Sequence, residues 1–219
     1  MRTDRNPPDV HSIATTTHGR VLVRRADVLP ARGIFVGFHG YMENAAIQMT
    51  RLEGIPGADA WTLVAVQALH RFYRWRTRDV VASWMTREDR EAAIADNIAY
   101  VAAALDAVPH DASTRIVYAG FSQGVAMAFR AAVRSGAAGI IAVGGDVPPE
   151  LLADSTLVFP PVLLARGATD ELYPREKFDA NVSALRARGA RIEPYVYAAA
   201  HEWTPDVSAA AGDWLSRLD

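Results

Sequence analysis

Residues 115–136 read RIVYAGFSQGVAMAFRAAVRSG, and they carry the strongest signal for the fold in the sequence. Residues 115–118 have the composition of a strand, and residues 123–135 predict a helix that ends at Gly136. Between them, Ser122 lies at the centre of a Gly-x-Ser-x-Gly pattern. A serine on a sharp strand-to-helix turn needs glycine two residues away on either side, because the neighbouring backbone passes close by. The stretch therefore predicts a nucleophile elbow with Ser122 at its tip.

The rest of the chain alternates between short apolar runs and helical patterns. Runs of strand length occur at residues 33–38, 61–66, 139–143, 161–165 and 192–197. Helices are predicted at residues 86–108, capped by Thr86 and Asp89, at residues 174–188 before Gly189, and from Pro205 after the cap Thr204. This alternation predicts an α/β fold with a mainly parallel, doubly wound sheet.

The first thirty residues have a different composition. Residues 12–17 and 20–25 are rich in β-branched side chains and flank His18-Gly19, which predicts an N-terminal antiparallel hairpin. Residues 1–10 carry charges and prolines and are expected to form a flexible tail. Because no linker or internal repeat interrupts the pattern, we expect one domain over residues 1–219.

Composition excludes several functional classes. The chain has 219 residues, 25 acidic and 23 basic side chains, a net charge of −2 and no cysteine. Disulfides, thiolate metal sites and a cysteine nucleophile are thereby excluded. The charge balance argues against a nucleic-acid partner, and no apolar run reaches the ~18 residues of a membrane-spanning helix. The N-terminus lacks the apolar stretch of a secretory signal, so we expect a soluble, cytoplasmic protein, monomeric or homodimeric, without stable membrane insertion.

The elbow requires a base and an orienting acid elsewhere in the chain. A serine hydroxyl is a poor nucleophile until a histidine accepts its proton, and in such folds the order is serine, acid, histidine. The other five histidines precede Ser122, which leaves His201, after the predicted strand 192–197, as the base. Asp170, directly after the strand at residues 161–165, is the favoured acid, and Asp146 after the preceding strand is the alternative.

Two backbone N–H groups should stabilise the negative charge that develops on the substrate carbonyl oxygen. One belongs to Gln123, the residue after the nucleophile, and the other to Tyr41, in the loop after Phe38-His39-Gly40. His39 itself is interpreted as a buried structural residue.

Residues 68–85 form a long connection with four aromatic side chains among arginines. The aromatic candidates for substrate contact are Phe72, Tyr73, Trp75 and Trp84. Such a segment beyond a strand end is typical of a lid or pocket wall, and equally of a surface excursion whose aromatics pack onto the core while its arginines are solvated. Metal binding is not predicted, since His201-Glu202 begins an H-E-x-x-H pattern in which Pro205 takes the second histidine position.

With these motifs, the chain resembles the phospholipase/carboxylesterase family of small α/β-hydrolases, which includes the acyl-protein thioesterases. The resemblance runs from about residue 34 onward, through Phe38-His39-Gly40, Ser83-Trp84, the elbow, Asp170 and Ala200-His201. It implies Ser122, Asp170 and His201 as catalytic residues, Tyr41 and Gln123 as oxyanion donors, and hydrolysis of small-molecule carboxylic esters or thioesters without a cofactor.

The chain departs from the family pattern at two places in these motifs. Met42-Glu43 stands where the family has a Gly-Asp pair, and Val125 replaces the glycine after the elbow. The family's substrate class therefore cannot be assigned to this chain, and an esterase that acts on polymers or on aromatic acyl groups fits the sequence as well. An acyltransferase with the same triad and a non-catalytic binding module are the rival functions.

Overall fold

The computed structural model describes residues 8–218. Within that range the strands are β1 (Arg20–Arg24), β2 (Ile34–Phe38), β3 (Thr62–Gln67), β4 (His70–Tyr73), β5 (Val80–Ser83), β6 (Ile116–Phe121), β7 (Gly139–Val143), β8 (Val162–Gly167) and β9 (Ile192–Tyr197). The α-helices are α1 (Ala45–Glu53), α2 (Arg90–Asp106), α3 (Gln123–Ser135), α4 (Pro149–Ala153), α5 (Arg175–Ala187) and α6 (Pro205–Ser216). A short 3-10 helix covers Ala58–Ala60.

Seven of the described strands form one sheet in the order β1-β3-β2-β6-β7-β8-β9. β1 runs antiparallel to β3, and every other neighbouring pair in this sheet is parallel. The predicted fold class, a mainly parallel α/β sheet of hydrolase type, is confirmed. The carboxyl ends of the parallel strands lie at one edge, where such folds place their ligands.

Helices cover both faces of the sheet, and each face has its own apolar core. Successive residues of β2 alternate between the two cores, with Val36 and Phe38 in one and Phe35 in the other. The first core takes buried side chains from α2, α3 and α5, and the second takes them from α1 and α6; examples are Leu105, Phe129 and Leu185, then Leu52 and Trp214. Burial on both faces explains why the central strands read as continuous apolar runs.

The predicted N-terminal hairpin is wrong in its pairing. Residues 20–24 do form β1 and are antiparallel, but their partner is β3, and residues 12–17 are exposed without regular structure. In β1, Val21 packs against the first core and Leu22 against the second. Residues 12–17 contribute no buried side chain, so β1 pairs with the edge strand β3 and not with them. Residues 1–7 of the predicted tail lie outside the described residues, and residues 8–10 are exposed.

The long connection at residues 68–85 is also more regular than predicted. It folds into the antiparallel hairpin β4–β5, in which His70 pairs with Ser83 and Tyr73 with Val80. The helix predicted from residue 86 begins only at Arg90, because Asp89 takes a left-handed φ of 46°. The Thr86 hydroxyl instead accepts the N–H of Glu88 in a local turn.

Other helix ends agree with the sequence signals. α3 ends at Gly136, whose φ of 63° is left-handed, and the Thr204 side chain accepts the Val207 N–H at the start of α6. At the outer edge of the sheet, β9 contains Pro194, which pairs in register with Leu164 of β8. None of the helices within residues 8–218 combines the length and apolar content needed to cross a membrane.

Candidate active site

Ser122 occupies the tight turn between β6 and α3. Its φ of 51° and ψ of −118° are strained for a residue with a side chain. A Cβ on Gly120 would lie 2.5 Å from the Gly124 carbonyl oxygen, and a Cβ on Gly124 would lie 2.2 Å from that of Phe38. A third glycine, Gly145, passes the turn so closely that its Cβ would lie 2.3 Å from the Ser122 carbonyl oxygen. The glycines therefore allow the chain to hold Ser122 at the carboxyl edge of the sheet.

The structure brings Ser122, His201 and Asp170 into one hydrogen-bonded line. His201 Nε2 lies 2.8 Å from Ser122 Oγ, and His201 Nδ1 lies 2.8 Å from Asp170 Oδ2. The other oxygen of Asp170 accepts the N–H groups of Leu172 and Tyr173 at 2.9 and 2.8 Å. Asp170 is buried, and these bonds fix its carboxylate beneath the imidazole. This is the arrangement that lets a serine lose its proton to a histidine.

Asp146, the alternative acid, points elsewhere. Its side chain is half exposed, and its oxygens face Asn181 Nδ2 at 2.6 Å and Lys177 Nζ at 3.6 Å. Neither contact involves His201, so of the two aspartates only Asp170 is in a position to orient the imidazole.

The two candidate oxyanion donors lie on different elements. Gln123 is the first residue of α3, where a backbone N–H has no partner within the helix. Tyr41 lies in the loop after β2, and the next residue, Met42, has a left-handed φ of 59°. This conformation explains why a glycine is usual at that position in the family that the sequence resembles. The Gln123 side chain joins α3 to the Trp84 N–H and the Met85 carbonyl, which sequence reasoning missed.

Glu43 fixes the loop that carries Tyr41. Its carboxylate accepts the Gly40 N–H at 2.7 Å and forms two hydrogen bonds with Arg51, at 2.6 and 2.7 Å. The Arg51 guanidinium lies 4.2 Å from the centre of the Phe121 ring, which in turn packs against His201. The ion pair with Arg51 lowers the pKa of Glu43, although burial alone would raise it. The sequence offered only one signal for this role, the departure from the usual Gly-Asp pair.

His39 is fully buried beside this loop, as interpreted from the sequence. The Ala68 N–H donates to His39 Nε2 at 3.1 Å, so Nε2 must be unprotonated and Nδ1–H donates to the Gly40 carbonyl at 2.7 Å. Burial lowers the pKa of His39. The ring therefore supports the loop as a neutral imidazole and is not a second base.

This neutral ring should make the fold sensitive to mild acid. The unfolded chain binds a proton at His39 near pH 6.5 while the folded chain resists it, so stability is complete above that pH and declines below it. We expect the free energy of unfolding to fall by at most about 1.4 kcal/mol per pH unit through this group. Urea unfolding of the protein and of His39→Gln at about pH 7.5 and about pH 5 would measure the effect. Equal pH dependence in the two proteins would contradict it.

A cavity of ≈ 420 Å³ opens beside Ser122. It is lined by residues from the ends of several elements, among them Met85, Ala126, Val147, Leu172, Tyr173 and His201. Sequence reasoning missed Ala126, Val147 and Leu172, which sit in ordinary helix and loop sequence. Among residues 8–218, no group of three His, Asp or Glu side chains is arranged to hold a metal ion.

The four predicted substrate-contacting aromatics do not line this cavity. Trp84 is fully buried and donates its indole N–H to the His39 carbonyl at 2.8 Å. Trp75 is 86% exposed, and Tyr73 is also exposed, on the β4–β5 hairpin. Phe72 contacts Tyr41, with ring centres 5.9 Å apart. The burial of Trp84 agrees with a surface excursion whose aromatics pack onto the core, whereas the exposed Tyr73 and Trp75 neither pack onto the core nor line this cavity.

Together, the sheet, the elbow and the placement of a histidine and an aspartate at the strand ends define an α/β-hydrolase fold. Residues 70–212 match the model of the dienelactone hydrolase family, and the chain belongs to this family of hydrolases. A search of curated protein sequences found no match.

Solved structures with the same fold include esterases and thioesterases. Esterase PE8 superposes with a TM-score of 0.76 at 21% identity, covering 93% of this chain and 100% of that one. Acyl-protein thioesterase 2 of Zea mays gives 0.70 at 19% identity, covering 91% and 98%. A phospholipase/carboxylesterase of Dyadobacter fermentans gives 0.69 at 22% identity, covering 93% and 99%. The resemblance seen in the sequence is thereby confirmed at the level of the fold.

Proposed function

We propose that the protein is a serine carboxylesterase that hydrolyses small-molecule esters through an acyl-enzyme. The observation that carries the proposal is the hydrogen-bonded line from Ser122 through His201 to Asp170, with 2.8 Å at both steps, on a strained elbow at the edge of the sheet. A structural serine would not need this strain or a histidine held by a buried carboxylate.

The reaction would proceed in two halves. His201 Nε2 accepts the Ser122 proton as Oγ attacks the ester carbonyl carbon, and the N–H groups of Gln123 and Tyr41 stabilise the oxyanion. The imidazolium returns the proton to the leaving alcohol, and the acyl group stays on Ser122. Water then gives a proton to His201 as it attacks the acyl carbon, and His201 returns that proton to Ser122 Oγ as the acid leaves. Asp170 stabilises the imidazolium in both halves.

Acylation kinetics test this proposal directly. With p-nitrophenyl acetate in excess, we expect a burst of one p-nitrophenolate per protein molecule if deacylation is the slow step. If acylation is the slow step, we expect steady turnover without a burst. A fluorophosphonate should label the protein with one-to-one stoichiometry and stop turnover. A binding module would show neither turnover nor labelling. An acyltransferase would transfer the acetyl group to an added alcohol in preference to water.

The shape of the cavity predicts which residue limits the acyl group. Ala126 is half-buried on α3, one turn beyond Ser122, and faces the cavity. We expect Ala126→Leu to lower kcat/KM for long acyl esters about 10- to 200-fold relative to the acetyl ester, because a larger side chain narrows the space beside the nucleophile. A series of p-nitrophenyl esters from acetyl to decanoyl would measure this change.

Trp75→Ala is the matched control for this series. Its side chain is exposed on the hairpin, so its removal should leave the acyl ranking unchanged. The opposite result would be a changed order of kcat/KM among the acyl esters in Trp75→Ala and an unchanged order in Ala126→Leu. It would mean that the aromatic hairpin contacts the acyl group.

A further inference from the structure

The β4–β5 hairpin is bonded to residues 40–44, the loop after β2. We call this segment the oxyanion loop, because it carries the proposed donor Tyr41. Glu43 of the loop pairs antiparallel with Ala82 of β5, and the Ala82 N–H donates to the Glu43 carbonyl at 2.8 Å. The hairpin therefore extends the strand pairing onto the oxyanion loop, although its aromatic side chains do not line the cavity beside the nucleophile.

Met42 is the strained residue of the oxyanion loop, and the hairpin binds both of its backbone polar groups. Its φ of 59° is left-handed, which a residue with a side chain adopts only where its surroundings enforce it. The Met42 N–H donates to the Ala82 carbonyl at 3.1 Å, and the Met42 carbonyl accepts Arg74 Nη2 at 2.6 Å. These bonds fix the backbone directly after Tyr41. No backbone carbonyl within residues 8–218 accepts the Tyr41 N–H, so this donor is available to a substrate oxygen.

The turn between β4 and β5 places Arg74 for its bond to Met42. The Arg74 N–H donates to the Asp79 carbonyl at 2.9 Å, and the Arg74 carbonyl accepts the Arg78 N–H at 2.8 Å. Both bonds close the turn, so the half-buried Arg74 side chain starts from a fixed backbone. A guanidinium that donates to a carbonyl forms a charge-assisted hydrogen bond, which is stronger than one between neutral groups.

We propose that Arg74 is a positioning residue for the oxyanion hole, and that the hairpin serves the reaction through this contact. The inference rests on the proposed esterase function. Without the guanidinium, the Met42 carbonyl loses its partner, and the left-handed backbone is held by one bond fewer. The Tyr41 N–H is then directed less well at the developing oxyanion. Because that charge exists only in the transition state and the intermediate, the loss should appear in kcat and not in KM.

Arg74→Met tests the proposal, because it removes the donors and keeps an apolar stem of similar length. We expect kcat for p-nitrophenyl acetate to fall about 10- to 100-fold with KM unchanged, less than the loss of a whole oxyanion donor. The rate is referred to the sites counted by complete fluorophosphonate labelling, so that unfolded protein does not mimic the effect. Arg74→Lys keeps a charged donor and should recover part of kcat. Should Arg74→Met not fold, Arg74→Lys should itself show a smaller loss of the same kind.

Inhibition by a trifluoromethyl ketone separates positioning from a purely structural role. Ser122 Oγ adds to the ketone carbon, His201 takes the proton, and the ketone oxygen becomes an oxyanion with no leaving group to expel. The inhibition constant should rise in Arg74→Met by the factor by which kcat falls. A role in stability alone would lower the melting temperature and leave the inhibition constant unchanged, which would contradict the proposal.

Arg76→Met is the matched control. Arg76 is exposed on the same hairpin, and none of the hydrogen bonds or ion pairs within residues 8–218 involves its side chain. The control should keep the kcat, KM and inhibition constant of the wild type. An active wild type with unchanged kcat in Arg74→Met, or with equal losses in both variants, would overturn this inference alone. A wild type that neither hydrolyses the ester nor reacts with the fluorophosphonate would overturn the proposed function, and this inference with it.

Discussion

Replacing Ser122 by alanine is expected to lower the esterase kcat by about 10⁶-fold, the effect seen when a serine protease loses its nucleophile. The change removes only Oγ and its bond to His201, and it keeps the Cβ that the strained backbone already accommodates. The melting temperature should therefore stay close to that of the wild type. Turnover of p-nitrophenyl acetate and circular dichroism melting would measure the two effects.

The same variant should no longer react with a fluorophosphonate. Ser183→Ala is a suitable control, because Ser183 is exposed on α5 and its hydroxyl donates to the Asp179 carbonyl, its one partner within residues 8–218. It should retain both labelling and turnover. Labelling that persists in Ser122→Ala would place the nucleophile at another serine and remove the basis of the proposed function.

Asp170→Asn is expected to lower kcat by about 10⁴-fold while the fold is kept. The Asn carbonyl can still accept the N–H groups of Leu172 and Tyr173, and its amide group then faces His201 Nδ1. An N–H donor at that position favours the tautomer in which Nε2 carries the proton and cannot accept one from serine. Steady-state kinetics on one activated ester would give the ratio.

Asp146→Asn removes a carboxylate of the same kind from the neighbouring strand end, where it faces Asn181 and Lys177. Its kcat should stay near that of the wild type. If Asp146→Asn were the more damaging variant, the acid would belong to the end of β7 instead of β8, and the observed bond from Asp170 to His201 would have no catalytic part.

The residues of the candidate site could be predicted because each carries a local signal. Ser122 lies in a glycine pattern whose spacing follows from backbone contacts, and the structure shows those contacts at Gly120 and Gly124. His201 and Asp170 follow strands that were recognisable as apolar runs, and parallel strands bring their carboxyl ends together. Their catalytic roles, the single domain and the cytoplasmic location stay predictions.

The aromatic segment could not be placed from the sequence, because burial there depends on distant contacts. Trp84 is buried in the first core and donates its indole N–H to the His39 carbonyl, 45 residues away. Trp75 in the same segment is exposed to solvent. Nothing in the local pattern separates these two tryptophans. The same holds for β1, because its partner β3 lies far along the chain and pairs on its other side with β2.

The two outer strands of the sheet, β1 and β9, are poor partners for a strand of another molecule. At one end, Pro194 of β9 offers no N–H to an incoming strand, and Glu193 beside it is paired with Arg217 at 3.0 Å. At the other end, β1 begins and ends with the exposed arginines Arg20 and Arg24. Charges and a missing donor on open edges oppose strand addition between molecules. Concentrated solutions of the folded protein should therefore resist the edge-to-edge aggregation to which open sheets are prone.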